Sequence, residues 1–288
     1  LRKSGYRGSN ISIHHSSEVI EMSESAATSV RRKRHSSIVV GLNLVRDGLG
    51  DAFFSAGNTG AVVCAATLSL GLISGIERPG IAVFAPTLKG ASLIIDVGAN
   101  IDPKPIQLLQ YGLMANAYLC YVLNRHNAKV GLLNVGEEEG KGTGFIKETH
   151  ELLSNSGLNF IGNIEGKDIF SGASDIIICD GFVGNVLLKV SESLAEAMKE
   201  FLRRNLASNP LGKLGLLLLK KSLLQFKKEL DYSEHGGAPL LGVNGMVIIG
   251  HGRSNAKAIK NAIRVAKAEV EGKFNEKVRE ALKNSLKG

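Results

Sequence analysis

One pattern recurs six times along the 288-residue chain: a short apolar run, a glycine-rich turn and then a helical pattern. The apolar runs are rich in Val, Ile, Leu and Phe, which is typical of buried strands in a mostly parallel sheet. They occupy residues 51–54, 93–95, 130–133, 158–161, 176–179 and 247–249. The turns that follow them occupy residues 55–60, 96–100, 134–142, 162–166, 180–185 and 250–255.

The alternation of strands and helices predicts an α/β fold, a three-layer α/β/α sandwich built on a mostly parallel sheet. Right-handed crossovers would bring every strand-to-helix turn to one edge of the sheet, where open α/β sheets bind ligands. We expect a single domain over residues 1–288, with a helical insertion at about 205–235. The chain begins at Leu1 without a Met, and we expect an N-terminal strand to be missing.

The charge balance favours an anionic partner. Lys and Arg number 35 against 27 Asp and Glu, which gives a net charge of +8. Phosphate, an acidic carrier protein and an anionic membrane surface all fit this charge. Nucleic acid is disfavoured as a partner, because aromatic residues make up only 5% of the chain and Trp is absent. Three separate cysteines without a CxxC pair predict neither a disulfide scaffold nor a zinc site, and they fit a reducing cytoplasm.

Two basic segments lie outside the repeated pattern. Residues 31–34 form a basic run in a predicted helix, either a solvated face or a surface that attracts an acidic partner. Residues 211–230 are rich in leucine and lysine and allow two interpretations. The leucines could pack against a second subunit, or they could enter a membrane interface whose anionic lipids meet the lysines.

The turns carry the candidate chemistry. A glycine-rich turn that leads into a helix presents backbone N–H groups at the positive end of the helix dipole, and these groups bind anions. For any one turn the alternative is that glycine merely permits a tight bend. The candidates for substrate binding are Asn58, Thr59, Gly60, Asn100, Asp180, Gly184, Lys189 and His251.

Lys141 lies in a turn that resembles a phosphate-binding loop of nucleotide triphosphatases. The spacing is one residue short, and Gly142 stands where Ser or Thr would hold magnesium, so we reject that class. Lys141 remains either a cation that meets a bound anion or a solvated loop lysine. His251 is similarly either a structural residue or a donor to a leaving group. The turn around His251 is weak evidence for NAD, and no catalytic triad or nucleophile elbow is visible.

Several ordered motifs resemble the PlsX family, the acyl-carrier-protein:phosphate acyltransferases of bacterial phospholipid synthesis. They occupy residues 18–22, 30–37, 55–61, 96–100, 131–136, 159–163, 180–185 and 236–238. The resemblance implies transfer of a fatty acyl group from acyl carrier protein to inorganic phosphate, without a metal or an organic cofactor. It also implies a homodimer, peripheral membrane association and a fold like the isocitrate and isopropylmalate dehydrogenases and the phosphate acetyltransferases. One family element, an N-terminal Asp-x-Met-Gly-Gly-Asp turn, is absent from this sequence.

Carried over by motif, the resemblance implies that Lys141 and Asn185 take part in catalysis. We expect Asn58, Thr59 and Asn185 to hold phosphate while Lys141 neutralises the charge of the tetrahedral intermediate. The expected location is the cytoplasm, with peripheral contact at the inner face of the membrane. Two other functions stay open: a phosphate acetyltransferase that uses a coenzyme A thioester, and an inactive membrane-associated interaction protein.

Overall fold

The computed structural model describes residues 8–207, 212, 215, 218–221 and 236–285. These residues form one eight-stranded sheet with helices on both faces. The strands are β1 (Ala52–Ser55), β2 (Gly80–Thr87), β3 (Gly90–Ile95), β4 (Val130–Leu133), β5 (Phe160–Ile164), β6 (Ile176–Ile178), β7 (Ala238–Leu241) and β8 (Met246–Ile249). The described helices are α1 (Ala26–Arg32), α2 (Ser37–Arg46), α3 (Thr59–Leu70), α4 (Pro105–Tyr121), α5 (Gly144–Ser154), α6 (Gly181–Ala207), α7 (Ala256–Glu271) and α8 (Phe274–Ser285).

The sheet has the strand order β1-β8-β7-β2-β3-β6-β4-β5. One parallel block contains β3, β6, β4 and β5, and a second contains β1 and β8. Between the blocks, β2 and β7 pair antiparallel with each other and with their other neighbours. The predicted α/β architecture with a mostly parallel sheet is therefore confirmed.

Both faces of the sheet are covered, which explains the continuous apolar runs in the central strands. Leu93 and Ile95 of β3 face the layer that contains α4, α5 and α8. Ile94, between them, faces the layer that contains α2, α3 and α6. Because successive side chains of a strand point to opposite faces, every position of β3 near its carboxyl end must be apolar. The three isoleucines of β6 follow the same rule.

Two strands were not predicted. β2 returns through Leu88 and Lys89 directly into β3, so no glycine turn and helix follow it. β7 likewise leads straight into β8 without a helix. The pattern of strand, turn and helix therefore predicts six of the eight described strands and omits the two that join the parallel blocks.

The prediction that all the turns lie at one edge of the sheet is wrong. Three successive antiparallel pairings separate β3 from β8. An odd number of reversals leaves β1 and β8 antiparallel to β3 and β6. The turns at residues 55–60 and 250–255 therefore leave the sheet at the opposite end from the turns at 96–100 and 180–185.

The predicted turn at residues 162–166 is also wrong. Gly162 lies within β5, with φ of 94°, next to an irregularity in the register between β4 and β5. A short 3₁₀ helix, Gly166–Asp168, follows the strand in place of an α-helix. The glycine there accommodates a bulge rather than a strand-to-helix turn.

The predicted helical insertion at about 205–235 lies mostly outside the described residues, and so does most of the leucine-rich segment at 211–230. Before it, α6 continues to Ala207. In the part of the chain that the structure describes, no helix combines the length and apolar character needed to span a bilayer.

Candidate active site

Two turns at the middle of the sheet are joined to each other; they are called the central turns. They comprise residues 96–100, after β3, and residues 180–185, after β6. β3 and β6 are parallel neighbours, so their carboxyl ends lie side by side. The Gly181 N–H donates to the carbonyl oxygen of Asn100 at 2.8 Å. The start of α6 is thereby fixed to the turn that follows β3.

Asp96 organises the first central turn, although the sequence did not single it out. Its carboxylate is fully buried and accepts four backbone hydrogen bonds. Oδ1 accepts from Ile81, Gly98 and Ala99 at 2.9–3.1 Å, and Oδ2 accepts from Asn100 at 2.7 Å. Burial raises the pKa of Asp96, while the four donors oppose that rise. The signal in the sequence is an Asp directly before a tight turn, where such side chains accept local N–H bonds.

Asn100 fixes the other end of this turn. Its Nδ2 donates to the Pro79 carbonyl oxygen at 2.7 Å and to the Tyr111 hydroxyl at 2.6 Å. These bonds tie the turn to the start of β2 and to α4. Both amide hydrogens of this predicted substrate-binding residue are therefore engaged inside the protein.

The glycines of the second central turn allow very close packing. A Cβ at Gly184 would collide with the carbonyl oxygen of Asp96, and one at Gly181 would collide with that of Asn100. Asp180 closes the turn, since its Oδ1 accepts from the Val183 N–H at 2.9 Å. Gly184 and Asp180, predicted to bind substrate, thus shape and cap the start of α6.

Asn185 and Lys189 project from the first turns of α6. Asn185 is half-buried, and its side chain lies against Gly98, whose φ is 132°. Its amide makes no hydrogen bond with another described residue. Lys189 is exposed and, being four residues further along the helix, shares a face with Asn185. This face presents an amide and an ammonium group beside the central turns.

Lys141 belongs to the turn after β4, which adjoins β6 in the sheet and runs parallel to it. The turn is braced internally: Asn134 Nδ2 donates to the Lys141 carbonyl at 3.2 Å, and Asn163 Nδ2 donates to that of Glu138 at 3.1 Å. Lys167 binds the Glu137 carboxylate at 2.7 Å. Lys141 is exposed, and its ammonium has no ion-pair partner within the described part of the chain. It lies at the same end of the sheet as Asn185.

The turns after β1 and β8, at residues 55–60 and 250–255, are called the outer turns. In the first, Asn58 is buried, and its Nδ2 donates to three backbone carbonyls of residues 21–24 at 3.1–3.3 Å. Its Oδ1 accepts from the Ala61 N–H at 3.0 Å, which caps α3. The Asn58 side chain is thus used structurally, and the exposed Thr59 and Gly60 form the accessible start of α3.

His251 lies in the second outer turn, next to the first because β8 pairs with β1. Its Nδ1 accepts from the Arg253 N–H at 3.1 Å. Arg253 reaches α6, with Nη1 3.5 Å from Glu196 Oε1. Glu196 lies about 16 Å along the helix from Asn185. The outer turns are therefore linked to the central turns through α6 rather than by a shared sheet edge.

Cys179 is the cysteine nearest the central turns, with Sγ 3.4 Å from the Asp96 carbonyl oxygen. It is buried, and this burial raises the pKa of its thiol. A nucleophilic cysteine needs an accessible thiolate, so Cys179 is a packing residue. Among the described residues, no three His, Cys, Asp or Glu side chains are grouped to ligate one metal ion.

Solved structures of similar fold include two phosphotransacetylases. The EutD phosphotransacetylase from Staphylococcus aureus matches 93% of this chain and 82% of its own, with a TM-score of 0.57 and 13% identity. A phosphotransacetylase from Streptococcus pyogenes matches 87% of this chain and 74% of its own, with a TM-score of 0.56 and 17% identity. At these identities the likeness concerns the fold alone.

Two relatives found by sequence have a much higher sequence identity to this chain than these solved structures do. A phosphate acyltransferase from Geobacter sulfurreducens is 46% identical over 99% of this chain and 83% of its own length. One from Desulfitobacterium hafniense is 51% identical over 94% of this chain and 82% of its own. The model of the family described as "Fatty acid synthesis protein" matches residues 1–277. The chain therefore belongs to this fatty acid synthesis protein family, the PlsX family of phosphate acyltransferases.

Proposed function

We propose that this chain transfers a fatty acyl group from the thioester of acyl carrier protein to inorganic phosphate. The products are an acyl phosphate and the free carrier thiol. Membership of the phosphate acyltransferase family supports acyl transfer to phosphate. The observation that carries the assignment to this site is that two unengaged donors lie at one end of the sheet: Asn185, against the turn fixed by Asp96, and Lys141, on the turn after β4.

The reaction needs no enzyme nucleophile. A phosphate oxygen attacks the thioester carbonyl carbon, a C–O bond forms, and a tetrahedral intermediate carries negative charge on the former carbonyl oxygen. The intermediate collapses as the C–S bond breaks, and the carrier sulfur leaves and takes up a proton. The buried Cys179 has no part in these steps.

The central turns and the neighbouring Lys141 turn supply positioning and electrostatic stabilisation. The Lys141 ammonium offsets the charge of phosphate and of the intermediate, and the Asn185 amide donates a hydrogen bond to an oxygen. Four hydrogen bonds to Asp96 fix the first central turn, and the Asn185 side chain lies against Gly98 of that turn, so the Asn185 amide is already positioned before the reaction. Lys189, one turn along α6, is a further cation for the substrate.

The outer turns are assigned to a remote part of the substrate. His251 lies two residues before Arg253, which reaches α6, and Thr59 and Gly60 lie in the neighbouring outer turn. Both turns follow β1 and β8, which run antiparallel to β3 and β6. A carrier-bound acyl thioester is long enough to meet both sets of turns. In this proposal Asn58 supports the site by capping α3, and the exposed helix start binds substrate.

The basic run at residues 31–34 is the proposed docking surface for the acidic carrier. The Lys33 Nζ lies 2.7 Å from Glu24 Oε1, so Lys33 makes an ion pair within the protein and has a structural role. Arg31, Arg32 and Arg34 are at or near the end of α1 and make no ion pair with a described residue. Such a surface increases the association rate of an oppositely charged partner.

A homodimer with peripheral membrane contact is the proposed assembly. Its support is an apolar stripe along one face of α6, exposed although its side chains are large. The stripe consists of Val186, Val190, Leu194, Met198, Phe201 and Leu202. A second subunit would cover it, and sedimentation equilibrium of the chain with and without Leu194→Lys tests this. Co-sedimentation with anionic vesicles tests the membrane contact. We also propose that the fold is like that of the isocitrate and isopropylmalate dehydrogenases.

The decisive experiment mixes the purified chain with a long-chain acyl carrier protein and measures thiol release with and without inorganic phosphate. Hydroxylamine traps the acyl phosphate as a hydroxamate. Phosphate-dependent release with trapped product supports the proposal, and release that ignores phosphate contradicts it. An acetyl-coenzyme A arm separates this activity from that of a phosphate acetyltransferase.

A further inference from the structure

A cavity of about 400 Å³ lies at the end of the sheet opposite the central turns. β3 and β6 begin here, and β2 ends here. The wall includes Lys89, Arg125, His126, Ser174 and Asp175. None of these residues belongs to the proposed active site.

Two cations of this cavity lack an acidic partner. The Lys89 ammonium has neither a hydrogen bond nor an ion pair with any described residue. Arg125 Nη1 donates to the Ala91 carbonyl at 3.2 Å, which orients the guanidinium, but no described carboxylate lies within ion-pair distance. Asp175 Oδ2 accepts from the Lys129 N–H at 2.8 Å, so its charge is partly satisfied by the backbone. The cavity therefore has spare positive charge and spare donors.

Ser174 provides an independent sign of an absent partner. It is only 2% exposed, and its Oγ is a buried atom without a hydrogen bond. Its backbone is fixed, since the Ser92 hydroxyl donates to the Ser174 carbonyl at 2.6 Å. Buried hydroxyls are rarely left unpaired, because desolvation without a hydrogen bond is costly. Ser174 is one of the residues that line the cavity.

His126 lines the cavity, and contacts with neighbouring side chains hold its ring in place. Its Nδ1 lies 3.1 Å from Cys120 Sγ, and its Nε2 lies 3.0 Å from Asn124 Oδ1. Both ring nitrogens are thus engaged away from the cavity. The binding groups that remain are the two cations, the serine hydroxyl and the second oxygen of Asp175.

We propose that this cavity binds a small phosphate monoester whose organic part carries hydroxyl groups. Arg and Lys together suit a dianionic phosphate, which accepts several charge-assisted hydrogen bonds. The volume falls in the range of small-molecule sites and exceeds what a single inorganic oxyanion fills. Asp175 and Ser174 suit hydroxyl groups on the organic part.

The site is separate from the proposed phosphate-transfer site. Ser92 at the cavity and Asp96 at the central turns are about 13 Å apart along β3. A ligand bound here would therefore leave the acyl-transfer donors Lys141 and Asn185 untouched. Variants of the cavity and variants of the proposed active site therefore distinguish binding at one place from binding at the other.

Isothermal titration calorimetry of the full chain with ribose 5-phosphate tests the proposal. Arg125→Gln and Lys89→Gln each remove one charge, and each is expected to weaken binding about tenfold or more. Lys147→Gln, an exposed lysine on α5, is the matched control and should bind like the wild type. Lys141→Ala should also bind normally, and both cavity variants should retain phosphate-dependent acyl transfer.

Ser174→Ala gives a second readout. The variant should bind ribose 5-phosphate more weakly while its unfolding midpoint stays equal or rises, because an unpaired buried hydroxyl is removed. Absence of wild-type binding, or wild-type affinity in Arg125→Gln, overturns the site. Loss of binding in Lys141→Ala but not in Arg125→Gln would place the ligand in the active site instead. Equal affinity for inorganic phosphate, or binding of neutral ribose, would overturn the proposed ligand class.

Discussion

The central and outer turns share one sequence pattern but differ in what the fold leaves available. In the outer turns, Asn58 uses all of its side-chain polar atoms to cap α3 and to hold residues 21–24. In the central turns, Asp96 makes the structural hydrogen bonds, and Asn185 keeps its amide unengaged. A glycine-rich turn with an asparagine thus indicates a possible site. Whether the asparagine side chain keeps an unengaged hydrogen-bond donor then indicates whether the turn can bind a substrate.

The largest expected effect comes from removing the unengaged donors. Lys141→Ala and Asn185→Ala should each slow turnover about 100 to 1,000-fold, the usual result of removing one well-placed transition-state donor. Thiol release from acyl carrier protein measures the turnover rate, and Lys147→Ala on the exposed face of α5 is the control. Near-wild-type turnover in both variants would remove both the central turns and the Lys141 turn from the mechanism.

Substitution of a glycine should lower the free energy of unfolding more in the central turns than in the outer turns. Gly184→Ala should cost about 3 kcal/mol of unfolding free energy, because the added methyl group meets the rigid Asp96 backbone. At Gly60 the added Cβ would lie 3.1 Å from the Ala26 Cβ, which requires a shift of only a few tenths of an ångström between the two segments, so Gly60→Ala should cost less than about 1 kcal/mol. Urea denaturation measures both. Equal costs would show that the central turns yield as easily as the outer ones.

Substitution of Asn58 should mainly lower stability, whereas substitution of Asn185 should mainly lower activity. Asn58→Ala should cost about 2 kcal/mol, because it removes a helix cap and the hydrogen bonds to three backbone carbonyls of residues 21–24. Asn185→Ala should change stability by less than about 0.5 kcal/mol, since no hydrogen bond to a described residue is lost. Denaturation and turnover are measured on the same preparations. A stable Asn58→Ala protein would contradict the structural role given to this outer turn.

His251→Ala should have the smallest effect. A remote contact binds ground state and transition state alike, so KM for the acyl carrier protein should rise about fivefold, while kcat stays within about twofold of the wild type. His14→Ala, an exposed histidine without an assigned role, is the control. If the His251 variant instead turned over as slowly as the Lys141 and Asn185 variants, the outer turns would belong to the reacting centre. The distinction between the two regions would then be lost.

Much of the fold follows from local sequence. The runs at 130–133 and 176–179 predicted β4 and β6 closely, because both strands are buried on two faces and need continuous apolar residues. The turns around Asn185 and Lys141 were placed correctly after their strands. Local signals of this kind depend on neighbouring residues only.

What could not be predicted depends on distant residues. The direction of β1 and β8 is set by β2 and β7, which carry no strand-turn-helix signal. The local turn indicates three of the donors to Asp96, but the fourth donor, Ile81 of β2, and the full burial of the carboxylate depend on the tertiary fold. The cavity lined by Ser174 combines three separate segments of the chain, each ordinary by itself.

The pairing of β1 with β8 has a consequence for how the chain is made. Ser55 pairs with Ile249, so an edge strand formed early must wait for almost the whole of the remaining chain. At about 5–20 residues per second, synthesis of the intervening segment takes about 10 to 40 s. During that interval β1 lacks its pairing partner, and α3 lacks its contacts with β8. We expect the nascent chain to expose apolar surface, and so to bind chaperones, until β8 emerges from the ribosome.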